Sequence, residues 1–185
     1  MKRVAIFASG SGTNAKNIIE HFQSNENIKV TLVICNNPKA GVIEKSTKLG
    51  VSTLVLDNVF FKSEGYLINI LDFHKIDLIV LCGFLRKVGN AIIDKYKVIN
   101  IHPSLLPKYG GIGMYGMKVH QEVLKNKESK SGMTIHWVNQ RYDEGKIIYQ
   151  AECDISLGDT PELLAEKVQK LEHKYYPLVV EYLLN

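Results

Sequence analysis

At 185 residues, with 45% hydrophobic and 23% charged side chains, the chain can bury a sizeable core as one domain. Its net charge of +4 is mild and its Lys and Arg residues form no dense run, so charge does not call for a nucleic-acid partner, though it suits small anionic substrates. No apolar stretch reaches membrane-spanning length, and the apolar part of KRVAIFASG is too short for a signal-peptide core; a cytoplasmic protein with no membrane partner is expected.

In chain order, Val4 to Ala8 is a continuous apolar run, as a strand covered on both faces requires. The glycine turn SGSGTN follows, then Ala15 to Phe22 with Ile18, Ile19 and Phe22 at helical spacing, which opens a βαβ unit. Ile28 to Cys35 predicts a second strand that ends at Asn36, Asn37 and Pro38. Val42 to Leu49 predicts a helix closed by Gly50. Thr53 to Leu56 reads as a third strand, Tyr66 to His74 as a helix, Leu78 to Cys82 as the most apolar strand, and Ala91 to Tyr96 as a short helix.

After a fifth strand ending near His102, the pattern changes. A glycine-rich loop, YGGIGMYG, leads to a helix from Met117 to Lys125. Two alternating stretches, Met133 to Val138 and Lys146 to Ile155, predict an antiparallel extension, with the polar loop NQRYDEG between them. Thr160, Pro161 and Glu162 begin a final helix with the N-cap and N1 residues such a start prefers. Its apolar stripe is Leu163, Leu164, Val168, Leu171 and Tyr175. Strands alternating with helices predict an α/β fold: a Rossmann-like, mostly parallel sheet flanked by helices, with right-handed crossovers and an antiparallel C-terminal extension. No repeat or linker divides it, so a single domain over residues 1–185 is expected.

The stretch that carries chemistry is Val98 to Pro107, VINIHPSLLP. Asn100 and His102 interrupt an apolar strand two positions apart, so both side chains share a face. Pro103 and Pro107 then end the strand and stiffen its exit. A carboxamide can donate to a developing oxyanion, and a histidine can hold or move a proton near neutral pH. The same two residues could also simply cap a turn. Asp143, in the later polar loop, could orient the imidazole and raise its pKa. It could equally be a turn residue, with Glu144 as its competitor for the role.

Gly10 to Ala15, GSGTNA, follows a strand and precedes a helix, where small residues and free N–H groups can receive an anion. A dinucleotide site would want an acid at the end of the second strand, but Asn36, Asn37 and Pro38 stand there. A monophosphate held by the backbone, Thr13 and Asn14 fits better; the alternative is a glycine turn required only for close packing. His21, His74, His120, His136 and His173 show no metal-ligand spacing and are expected in surface or packing roles, with no metal. Cys35, Cys82 and Cys153 lack a C-x-x-C spacing and read as buried free thiols in a reducing compartment.

SGSGTN, LCGFLR, NIHPSLLPKY, YDEG and VQKLEHKYYP occur in this order over nearly the whole chain. In them the chain resembles the phosphoribosylglycinamide formyltransferase family, the folate-dependent glycinamide ribonucleotide transformylases of purine synthesis. The resemblance implies a formyltransferase fold, with residues 1–100 as a nucleotide- and phosphate-binding half and 101–185 as a folate-binding and catalytic half. It implies formyl transfer from 10-formyltetrahydrofolate, as co-substrate, to the amine of 5-phosphoribosylglycinamide, with no metal. By position, Asn100, His102 and Asp143 correspond to the catalytic trio, Gly12, Thr13 and Asn14 to the phosphate loop, and Glu172 to a residue on the substrate ribose. Leu85, Arg86, Lys87 and Val88 correspond to the folate pocket lining, together with Asn100. Asn139, Gln140, Arg141, Tyr142 and Asp143 correspond to the loop over the pterin. Lys62, in FFKSEGY, stands near the family's folate-site arginine. The loop GGIGMYGMKVH is longer than in many relatives. The implied partners are small-molecule substrates, on a monomer or homodimer. Three rivals are a formyltetrahydrofolate hydrolase, a methionyl-tRNA formyltransferase and a non-catalytic nucleotide-binding module. The first would have an extra N-terminal domain and the second a further C-terminal one; the intact trio speaks against the third.

Overall fold

The computed structural model describes residues 1–57 and 63–185. Lys62 lies outside the described residues. Two compact units divide the chain: Met1–Ile99 with Val180–Asn185, and Asn100–Val179. The division falls between Ile99 and Asn100, and Val180–Asn185 group with the first unit.

In the first unit, β1 (Lys2–Ala8), α1 (Thr13–His21), β2 (Ile28–Cys35), α2 (Gly41–Lys48), β3 (Ser52–Val55), α3 (Glu64–Phe73), β4 (Leu78–Leu81) and α4 (Asn90–Lys95) succeed one another. β1 pairs in parallel with β2 on one side and with β4 on the other, and β2 pairs in parallel with β3. β1 and β4 are central and apolar, and Val4 to Ala8 and Leu78 to Val80 are fully buried, as expected of strands covered on both faces. The order β3-β2-β1-β4 makes the gap between the carboxyl ends of β1 and β4 a topological switch point, the place where such sheets receive ligands. Gly50 closes α2 as expected: at φ 73° it donates to Thr47 O at 3.0 Å while Val51 N–H donates to Ser46 O at 3.0 Å.

β5 (Lys97–His102) carries the chain from the first unit into the second, where α5 (Met117–Lys125), β6 (Lys130–Trp137), β7 (Ile147–Asp154) and most of α6 (Pro161–Leu184) follow. β6 and β7 pair antiparallel, as expected. Only β7 alternates in exposure, however; β6 is buried without a break from Ser131 to His136. Its polar residues tolerate this where they find partners, as Thr134 does. α6 begins as expected, with Thr160 Oγ1 accepting the Leu163 N–H at 3.3 Å. The stripe needs correction: Leu163 is 47% exposed, and the buried line runs through Leu164, Val168, Glu172 and Tyr176, one helical turn apart. Cys35 and Cys82 are buried free thiols, but Cys153, on the half-covered β7, is only partly buried. Among the described residues no helix is long and apolar enough to cross a membrane.

The loop after His102 is stapled to β6 by one hydroxyl. Thr134 Oγ1 donates to Ser104 O at 2.6 Å and accepts the Leu106 N–H at 3.0 Å, and Gln150 Nε2 reaches both Thr134 Oγ1 (2.8 Å) and Leu106 O (3.0 Å). Thr134→Val keeps the shape but strands buried backbone groups, at a cost of about 1–3 kcal/mol. Urea unfolding of the variant is expected to show that loss; an unchanged midpoint would mean that Pro103 and Pro107 hold the loop unaided.

Candidate active site

β5 does what its two-residue spacing predicts: Asn100 and His102 face the same way and meet Asp143. Asp143 sits in the left-handed region at φ 57°, which an aspartate tolerates better than most residues, and its side chain is only 12% exposed. Oδ2 accepts the Gly111 N–H at 2.9 Å and lies 3.5 Å from His102 Nδ1. Oδ1 lies 3.4 Å from Asn100 Nδ2 and 3.5 Å from His136 Nε2. Glu144, the competing carboxylate, is exposed and pairs with Arg141 at 3.2 Å. The geometry therefore selects Asp143.

Close approach of the glycine loop makes this possible. A Cβ on Gly110 would come within 2.5 Å of the Leu106 side chain and 3.2 Å of Asp143 Cβ. The other nitrogen of His102, Nε2, is 2.7 Å from the carbonyl of Tyr109, a non-glycine residue at φ 58°. Since a carbonyl only accepts, Nε2 carries a proton and Nδ1 is the nitrogen turned to the carboxylate. Tyr109 is anchored in turn, its hydroxyl donating to Glu128 Oε1 at 2.9 Å; burial and that bond push its pKa up to about 12.

His136 is a correction. It was expected in a packing role, yet its ring stands beside Asn100 Nδ2 at 3.2 Å and faces Asp143. The register slips beside it, Ile135 pairing with Tyr149 but His136 with Ile147; the unpaired residue, Ile148, is on β7, and His136 keeps the face of Thr134. The signal available was its place two residues from Thr134, on the same face of β6.

In the first unit, Gly12 stands at φ 76° as the residue before α1, and a Cβ there would lie 2.6 Å from Val42 Cα. Thr13 and Asn14 therefore open α1 with its first N–H groups directed outward from the turn. No acidic residue occupies that first turn, and Lys45 Nζ donates to Ser11 O at 2.6 Å. Asn36, at the position where a dinucleotide site would have an acid, accepts the Ser9 hydroxyl at 2.6 Å, and that hydroxyl accepts the Leu85 N–H at 3.0 Å. Leu85, Arg86 and Lys87 are exposed after β4 and Val88 is buried. Glycine loop and LRKV thus flank the switch point of the first unit. Asn139, Gln140, Arg141 and Tyr142 are exposed, and Glu172 is buried on the inner line of α6. Among the described residues no cluster of His, Cys, Asp and Glu could hold a metal ion.

A family model described as Formyl transferase matches residues 2–180. The chain belongs to the formyl transferase family. It is 35% identical to the phosphoribosylglycinamide formyltransferase of Bacillus subtilis over all of this chain and 96% of that one. It is 33% identical to that of Escherichia coli over 97% and 85%. The crystal structure of phosphoribosylglycinamide formyltransferase from Bacillus halodurans superposes with a TM-score of 0.88 at 37% identity, covering 100% of this chain and 96% of that one. These likenesses bear out the expected fold class and the resemblance read from the sequence.

Electrostatics in this formyl transferase site run against one expectation. Burial pushes the pKa of His102 down; the charge of Asp143 and the Tyr109 carbonyl pull it back up, His136 opposes them, and the net direction is down. Burial also raises Asp143, but its bond to His136, the charge of His102 and the Gly111 N–H outweigh that, leaving it below the ordinary value. His120 on α5 is lowered by burial and by the nearby charge of His102. In the resting site, then, Asp143 does not by itself keep His102 protonated.

All three groups bind protons less readily folded than unfolded, so acid favours the unfolded chain. Their stabilisation is complete above the ordinary histidine value, about 6.5, and is lost as pH falls through the lowered folded values. Urea midpoints are expected to fall between about pH 7.5 and about pH 5.5, and His120→Gln to flatten part of that fall. A variant with the wild-type slope would assign the loss to other groups.

Proposed function

We propose that this chain transfers the formyl group of 10-formyltetrahydrofolate to the amine of 5-phosphoribosylglycinamide, giving the N-formyl product and tetrahydrofolate. The observation that carries the reading is the convergence of Asn100 and His102 on the Asp143 carboxylate, in a chain related over its full length to enzymes bearing that name. Its partners are two small molecules, and neither nucleic acid nor a membrane enters the reaction.

The amine nitrogen attacks the formyl carbon and negative charge develops on the formyl oxygen. The carbon–N10 bond then breaks, and the proton lost by the amine ends on N10 of tetrahydrofolate. In the resting site the donors already have acceptors: His102 Nε2–H the Tyr109 carbonyl, and Asn100 Nδ2 the Asp143 carboxylate and the His136 ring. Stabilising the oxyanion is therefore an exchange of acceptors rather than the use of idle donors. At His102 it favours the transition state because an anionic oxygen is a stronger acceptor than the neutral Tyr109 carbonyl it replaces. His102 Nδ1, facing Asp143 Oδ2, is the atom able to take a proton while the reaction runs, since burial leaves it unprotonated at rest and the carboxylate stabilises the charged ring once formed.

The ribonucleotide phosphate is assigned to the N–H groups of Gly12, Thr13 and Asn14, which need no cation of their own to receive an anion. Glu172 is assigned to the ribose. Leu85 to Val88 and Asn139 to Asp143 are assigned to the folate, with Lys62 as a further contact.

Absorbance should show release of tetrahydrofolate from 10-formyltetrahydrofolate only when the ribonucleotide is added. Release without it would make the protein a hydrolase, and no release with both ligands bound would make it a silent binding module. His102→Ala and Asp143→Ala are each expected to lower kcat by about a hundredfold or more while both ligands still bind. A variant with wild-type kcat would remove that residue from the mechanism.

A further inference from the structure

Tyr109 holds a left-handed backbone at φ 58°, a conformation that a residue with a Cβ keeps only where its surroundings fix it. Its neighbours do so from both sides. Ser104 Oγ donates to the Lys108 carbonyl at 2.7 Å, and the next carbonyl, that of Tyr109, meets His102 Nε2 at 2.7 Å. At the outer end the Tyr109 hydroxyl donates to Glu128 Oε1 at 2.9 Å. The same carboxylate takes Lys108 Nζ, 2.9 Å from Oε1 and 3.2 Å from Oε2, so one acid grips two successive side chains.

Glu128 is itself fixed by the end of a helix. Lys127, at φ 53°, closes α5: its N–H donates to Leu124 O at 2.9 Å, and the Glu128 N–H donates to Val123 O at 3.4 Å. That paired return of N–H groups is a Schellman cap, and it sets the Glu128 backbone just before β6 begins at Lys130. The acid stands on a rigid corner.

What depends on the Tyr109 carbonyl is where the resting His102 proton sits. A neutral imidazole beside a carboxylate can place its proton on the nearer nitrogen, and Asp143 Oδ2 lies 3.5 Å from Nδ1. The carbonyl, 2.7 Å from Nε2, is the closer acceptor and draws the proton to its own side. Both parts of the proposed chemistry need it there: Nε2–H for the formyl oxyanion, and Nδ1 open for the proton that moves during the reaction.

We propose that Glu128 is a positioning residue for formyl transfer, holding Tyr109 so that its carbonyl keeps the resting His102 proton on Nε2. It acts through Tyr109 and touches neither a substrate nor the reacting atoms. The role in turnover rests on the proposed function; the link from Glu128 to the His102 ring does not.

Three substitutions test this. Tyr109→Phe removes the hydroxyl, Glu128→Ala removes its acceptor, and Glu128→Gln keeps an acceptor oxygen without the charge. At about pH 8, where the buried His102 ring is neutral, long-range 1H–15N NMR should show its Nε2–H tautomer in the wild-type protein. The Nδ1–H form should gain share in Tyr109→Phe and Glu128→Ala, while Glu128→Gln should stay with the wild type. In the first two variants kcat should fall about fivefold, with KM for both substrates within about twofold. Joining the two changes should cost no more than either alone. An Nδ1–H tautomer in the wild-type protein, or a wild-type tautomer in both Tyr109→Phe and Glu128→Ala, would overturn the inference. Equal losses in Glu128→Gln and Glu128→Ala would overturn it too, because the charge would then be the cause. A protein without formyl transfer whose His102 tautomer still follows Glu128 would refute the proposed function and leave this arrangement standing.

Discussion

A buried carboxylate must be satisfied or protonated, and the second unit is arranged around satisfying one. Asp143 receives contacts from two side chains of β5, from one on β6 and from a backbone N–H of the glycine loop. The Gly111 N–H, at 2.9 Å, has a good hydrogen-bond length, while the three side chains stand at 3.4 to 3.5 Å and add to it by number. That explains why distant stretches share constraints. Gly110 has no room for a side chain, Asp143 takes a left-handed backbone, and the loop after His102 is tied down by Thr134. Each would be a local oddity by itself. Together they keep one negative charge stable in a place where water does not reach it freely.

The first unit meets an anion by the opposite means. There the proposed phosphate site is made of backbone, with Gly12 at φ 76°, no room for a Cβ beside Val42, and the first turn of α1 left without an acid. Oriented N–H groups cost nothing to organise once the strand and helix have packed, because the fold has already set their direction. Side-chain polarity around the loop is consumed internally, as the Ser9–Asn36 pair shows. A fixed-charge substrate suits such a cradle, whereas chemistry in which charge moves needs groups able to gain and lose protons, and those lie in the other unit.

Much of this was legible in the sequence, for reasons that can be named. Strand and helix alternation, the Gly50 stop of α2 and the Thr160 start of α6 rest on local rules, and all reappear. Asn100 and His102 were readable because a strand has a period of two. His136 was not, because no window of β6 says that the face it shares with Thr134 meets Asn100 and Asp143, a fact of tertiary packing. Leu163 failed for a related reason: an apolar residue one position from Leu164 cannot share its helix face, and the packed line follows Leu164 to Tyr176. The choice of Asp143 over Glu144 also needed the fold, since neighbours in sequence diverge by direction alone.

The charge state of His102 could be argued in either direction from sequence, because two opposing terms meet there. A carboxylate beside an imidazole favours the cation, and burial disfavours it; only the depth of the site decides. Here burial wins at rest, yet the neutral ring then holds a lone pair at Nδ1 toward an anionic oxygen 3.5 Å away. The carboxylate and the Tyr109 carbonyl offset part of what burial costs the charged ring, so protonating it costs less than burial alone would impose. A group balanced in this way takes up a proton when local charge rises and returns it when that charge is gone. A general base and acid must do both within one turnover, and a histidine fully committed to either form could do only one.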